Sequence, residues 1–163
     1  MASVIYGTCD DQSQAQSLFN EVRAAHPNNT VINAIVAPLV ASAAERSKGN
    51  LTEAIHLSES VRPYEFGIVL GTSNMYARGN LYLEQRMGKE AAADFKAIID
   101  HPTIDYLSPA HTLAHLGLAR AAVINGDMTA ARKSYQDFFA LWKDADQDLP
   151  VLVQARKEYE QLK

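Results

Sequence analysis

His111 and His115 stand four residues apart, so on a helix both imidazoles fall on one face at a spacing that can hold zinc. No Glu follows His111 to complete an HExxH pair, and no third ligand is close in sequence, so core or surface packing is the expected role. Asp144, Asp146 and Asp148 alternate like the front of a calcium loop. The sixth position is Leu149 and the twelfth Ala155, where that loop needs Gly and Glu, so a solvated turn and helix cap is expected instead. Asp105, Ser108 and His111 are near in sequence but form no ordered nucleophile–base pattern. Cys9, beside Asp10 and Asp11, has its thiolate disfavoured and is not a nucleophile candidate. Trp142, Tyr135, Phe138 and Phe139 read as core and capping contacts. The residue types therefore predict a non-catalytic chain with no cofactor and no metal.

Composition narrows the partner classes. The 163 residues are 47% hydrophobic and 21% charged, with a formal net charge of -4, which suits a single folded domain over a disordered chain. The basic residues are scattered among acidic ones, and no basic stripe suggests nucleic acid. A single cysteine excludes an internal disulfide and fits a reducing, cytoplasmic setting. No apolar run approaches the roughly 18 residues of a membrane span, and the start has no signal-peptide pattern.

The elements that must position these residues are helices. Asp10 or Asp11 caps a helix to about Ala25, with Ala15, Leu18, Phe19 and Val22 at helical spacing. Thr30 is expected to cap a helix to about Lys48, bent near Ala34–Pro38 by the interior proline. Gly49-Asn50 turns into a helix to about Val61. Tyr64 to Gly71 could be a strand, but a helix start is favoured by its neighbours. A helix to about Met87, a turn at Gly88, and a helix to about Asp100 follow. Ser108-Pro109 begins the next, to Asn125, and Asp127 caps another to about Lys143. A last amphipathic helix, Val151 to about Leu162, faces Leu152, Ala155 and Tyr159 inward and Arg156, Lys157, Glu158 and Glu160 outward.

These helices repeat. Ala15, Ala54, Ala91 and Ala131 are 39, 37 and 40 residues apart. An aromatic follows four residues on at Phe19, Phe95 and Tyr135, with Ser58 in the remaining unit. The fullest unit is Met75–Phe95, where Gly79 and Tyr82 precede Ala91 and Phe95. That Gly-x2-Tyr … Ala-x3-Phe skeleton resembles a tetratricopeptide repeat, whose standard period is about 34 residues. The resemblance implies an all-α fold: a right-handed α-solenoid of about four helix pairs, the first truncated, with a C-terminal capping helix. Units fall at about 1–29, 30–63, 64–107 and 108–147, with the capping helix at 148–163. The apolar Met1–Gly7 reads as the last turn of a helix that begins upstream, so the chain is expected to be a fragment whose open end offers a surface for self-pairing.

Longer stretches, among them YARGNLYLEQRMGKEAAADFKAIIDHP, LAHLGLARAAVINGDMTAARKSYQDFFALWKDAD and LPVLVQARKEYEQL, resemble the carboxy-terminal tetratricopeptide region of bacterial eukaryotic-like serine/threonine protein kinases. Related repeats also follow winged-helix domains of bacterial regulators, and a structural or self-associating spacer is the third reading. Kinase motifs are absent from this stretch: no Gly-rich loop, VAIK, HRD or DFG. The resemblance implies a protein- or peptide-binding role, the partner including its own kinase domain. It places Tyr76, Asn80, Leu83 and Glu84 on a concave groove, with Leu116, Arg120, Val123 and Ile124 at the matching positions of the next unit. Asn80 and Arg120 are equivalent there and would grip main chain or carboxylate.

Overall fold

A computed structural model describes residues 12–67, 69–105 and 108–162. The expectations for Met1–Gly7, Cys9, the Asp10 or Asp11 cap and self-pairing through the first residues lie outside these. Among the described residues there are eight α-helices and no strand, and the fold is all-α. The chain divides into two compact units, Met1–Asn74 and Met75–Lys163.

In the first unit, α1 (Gln12–Ala25) packs against α2 (Ala37–Ser47), and α2 packs against α3 (Leu51–Glu59). The helical run that leads into α2 is capped by Asn29, not Thr30, because the Asn29 side-chain oxygen accepts from Ile32 N at 3.0 Å and Thr30 is already helical. The expected irregularity ahead of Pro38 takes a defined form. Ile32–Val36 is a π turn in which Ala37 N donates to Ile32 O; the widened turn meets a proline that has no N–H to offer. Tyr64–Gly71 is neither strand nor helix start in its described residues. Arg62–Tyr64 is a 3-10 turn, then the chain loops, Phe66 N donating to Gly71 O at 3.0 Å. Phe66 has φ 63 and Gly71 φ 52, which no strand or helix allows, and the next helix begins only at Ser73. Ile35, Val61 and Leu70 form the buried cluster under this loop.

The second unit takes in α4 (Ser73–Glu84) from Met75 on, α5 (Gly88–Ile99), α6 (Ala110–Ile124), α7 (Met128–Leu141) and α8 (Pro150–Glu160). Consecutive pairs from α5 to α8 pack on each other. The turn between α4 and α5 is Arg86, at φ 57; Gly88 is helical and buried. A Cβ on Gly88 would lie 2.4 Å from Asn125 Oδ1 and 2.9 Å from Ala121 O, so glycine is there for the approach of α6. α6 begins one residue beyond Pro109, with Ser108 Oγ accepting from Ala110 N. Asp127 caps α7 through Ala130 N at 2.9 Å.

One turn recurs through both units. Gly49, Arg86 and Gly126 all have positive φ, and each precedes a fully buried alanine, Ala54, Ala91 or Ala131, by five residues. Around each, the same pair of hydrogen bonds closes the preceding helix: Gly49 N to Arg46 O with Asn50 N to Glu45 O, Arg86 N to Leu83 O with Met87 N to Tyr82 O, and Gly126 N to Val123 O with Asp127 N to Ala122 O. This is the Schellman arrangement, which needs a left-handed residue and favours glycine. Positions four and seven beyond the alanine are also sealed: Ser58, Phe95 and Tyr135, then Val61, Ile98 and Phe138, all at 2% exposure or less.

Candidate functional site

The expected groove residues lie in the second unit, on α4 and α6. The Tyr76 ring meets Phe95 edge-on with centroids 6.0 Å apart. Asn80 turns its amide back onto its own helix, donating to Tyr76 O at 2.8 Å. Leu83 is half-buried and Glu84 exposed. On α6, Leu116 is 2% exposed, in a cluster with Ala119, Tyr135, Phe138, Leu152 and Ala155, so it faces the core and not a groove. Val123 packs on the same cluster, half-buried, and Ile124 is half-buried.

Arg120 already has a carboxylate. Its Nε donates to Glu158 Oε2 at 2.9 Å and its Nη2 to Glu158 Oε1 at 3.0 Å. Tyr135 OH donates to Glu158 Oε2 at 2.8 Å, and Gln154 Nε2 to Oε1 at 3.1 Å. Burial disfavours the Glu158 charge, yet the hydrogen bonds and attraction of Arg120, joined by Gln154 and Tyr135, outweigh it and hold the carboxyl below its usual range. Burial likewise works against the Arg120 charge, but Glu158 raises its pKa, with Tyr135 and Tyr76 adding to the effect. The Tyr135 phenol is pushed well above its ordinary value, first by burial and then by Glu158. The bidentate fork suits a guanidinium and a carboxylate.

The outward assignment of Glu158 is therefore corrected. It lies three residues past Ala155 and beside Tyr159, on the edge of the inward stripe. Half-buried, it reaches Arg120 over the apolar contacts of Leu152 and Ala155. Its helical spacing from Ala155 was the available signal. A second ion pair had none. Arg78 and Asp94 are buried together, Nε to Oδ2 at 2.8 Å and Nη2 to Oδ1 at 2.7 Å, joining α4 to α5.

Two glycines close on Phe95. A Cβ on Gly79 would come within 2.8 Å of its ring, and one on Gly117 within 2.5 Å. Gly79 thus faces Phe95 of its own hairpin, while Gly117 brings α6 close to the same ring. Where the first unit has Ser58 in place of the aromatic, polar groups fill the position. Ser58 Oγ donates to Asn74 Oδ1, and Asn74 Nδ2 donates to Ser58 O and Glu65 Oε1.

The remaining chemistry candidates do not converge. His111 and His115 sit edge-on with centroids 5.6 Å apart, and no group of three or more His, Cys, Asp or Glu side chains that could hold a metal occurs among the described residues. Burial lowers the His115 pKa, His111 and Lys133 lower it further, and Asp137 opposes them. Asp144, Asp146 and Asp148 are all exposed. Ser108 Oγ accepts from Ala110 N. Phe138 and Trp142 meet at a tilt, their centroids 5.2 Å apart, beside Phe139 and Tyr159, as core and cap. No helix among the described residues is long and apolar enough to cross a membrane.

Comparison with protein-family models, with curated proteins and with solved structures returns no match to this chain.

Proposed function

We propose that this chain is a non-catalytic scaffold for protein–protein interaction, a right-handed solenoid of tetratricopeptide-like helix pairs closed by α8. The observation that carries this reading is the recurring turn: Gly49, Arg86 and Gly126, each five residues ahead of a fully buried alanine. A unit of this kind buries its apolar faces by stacking on its neighbours, and its function lies in the surface left over. By its sequence resemblance the chain is the cytoplasmic, partner-binding region of a bacterial eukaryotic-like serine/threonine protein kinase. The partner is a protein or peptide, the kinase domain included.

With Arg120 paired and Leu116 buried, the partner surface on this reading is Tyr76, Leu83 and Glu84 on α4. Isothermal titration of the chain with a eukaryotic-like serine/threonine kinase domain tests the reading. The expected result is saturable binding that is lost in the Leu83→Asp, Glu84→Lys double variant while its helical circular dichroism is kept. Absence of binding by the native chain would sink the kinase assignment. Binding indifferent to the double variant would sink the α4 surface.

A further inference from the structure

α8 lies on the core through Leu152 and Ala155, which are buried fully, and through Val151 and Tyr159, whose ring meets Tyr135 and Phe139. Glu158 makes the clasp to Arg120 and Tyr135, and Gln136 meets the Tyr159 hydroxyl at the exposed edge. The helix spans 11 residues, a length that is marginal in water without a surface to lie on. The segment between α7 and α8 carries Asp144, Asp146 and Asp148, all exposed and of like charge. Beneath α8 lies a surface made by α6 and α7: Leu116, Ala119 and Phe138 are apolar, and Arg120 and Tyr135 point two kinds of donor at one carboxylate.

We infer that this surface is a binding site for an amphipathic helix that presents one carboxylate, and that α8 is its built-in occupant. The ligand it fits has a leucine, an alanine three residues on, and a glutamate three beyond that, the spacing of Leu152, Ala155 and Glu158. The two apolar residues fill the face over Leu116 and Phe138, and the carboxylate enters the fork of Arg120 and the Tyr135 hydroxyl. A partner helix with this pattern displaces α8 and takes its hydrogen bonds one for one. The tether gives α8 an effective concentration on the order of millimolar, so in the free chain the site is closed. The inference rests on the scaffold reading and names its partner class.

The test uses the full chain and a fluorescein-labelled peptide of residues 148–163, read by anisotropy. The Glu158→Ala chain, whose own α8 competes poorly, is expected to bind the peptide about tenfold or more tightly than the native chain does. A peptide carrying Glu158→Gln should lose about tenfold on the Glu158→Ala chain, and adding Arg120→Met to that chain should remove the difference between the two peptides. Should Glu158→Ala lose its helical signal, Tyr135→Phe replaces it, and the advantage of the glutamate peptide must shrink by several-fold. Binding that is equal for both peptides, or absent from the Glu158→Ala chain while the kinase-domain titration still gives heat, overturns this site alone. Absence of both signals overturns the scaffold reading with it.

Discussion

At Phe95 the packing leaves no room for a methyl group at either of the two glycines that meet the ring. Gly117→Ala would set a Cβ 2.5 Å from ring atoms and Gly79→Ala one at 2.8 Å, with the ring itself fully buried. Each alanine gains about 1 kcal/mol of helix propensity, against a crowding cost of about 1–3 kcal/mol. Both variants are expected to be less stable in urea denaturation, Gly117→Ala the more so, and Phe95→Leu should recover part of the loss. The buried Arg78–Asp94 pair gives a larger effect: Arg78→Met leaves a carboxylate without its guanidinium and should cost about 3–5 kcal/mol, more than the Arg78→Met, Asp94→Leu double variant does. His115 supplies the pH dependence. Its pKa is lowered, so the unfolded chain takes up the proton more readily and stability falls as pH drops from about 7 to 5. Thermal melts across that range should flatten in His115→Gln. Glu158 acts in the same direction at lower pH. Its depressed pKa gives stability that is present above about 4.3 and lost as pH falls through the folded value.

At the scale of elements, the helices and their order were readable because each leaves a periodic apolar face and ends at Gly, Pro or a capping side chain. The alanines and the aromatics four residues on were readable for the same reason, being small and large residues at fixed helical offsets. Three features were not. The turn between α4 and α5 has no glycine at its left-handed position, so Gly88 drew the assignment that belongs to Arg86. The loop after Tyr64 is apolar enough to suggest regular structure, but its course is set by the Phe66-to-Gly71 hydrogen bond, which leaves no periodic signal. The pairing of Glu158 with Arg120 leaves no signal either: spacing from Ala155 puts Glu158 at the edge of the inward stripe, but a pattern of charges cannot say that two of them, 38 residues apart in sequence, face each other across helices. Arg86 yields a direct test. A non-glycine residue at φ 57 carries a cost of about 1–2 kcal/mol. Arg86→Gly is therefore expected to stabilise the chain by about 0.5–1 kcal/mol in urea denaturation, whereas Gly126→Ala, at φ 78, should destabilise it by a similar amount.

For the whole molecule, the recurrence joins the sequence to the proposed role. The hairpin turn is the same at 49, 86 and 126 although the residues around it differ. The sealed position four beyond the alanine is a serine bonded to Asn74 in one case, a phenylalanine met by two glycines in the next, and a tyrosine bonded to Glu158 in the third. The fold thus keeps the position and changes the chemistry that fills it, which is why the count of aromatics alone understates the repeat. The most direct measurement of this claim is amide hydrogen exchange at Asn50, Met87 and Asp127, read by NMR. All three residues are solvent-exposed, so slow exchange there reports the hydrogen bonds to Glu45, Tyr82 and Ala122. The account predicts that all three amides are protected together, well beyond the rates of an unstructured peptide. Exchange of any one of them at the unstructured rate, with its flanking helices intact, would contradict a single turn used three times.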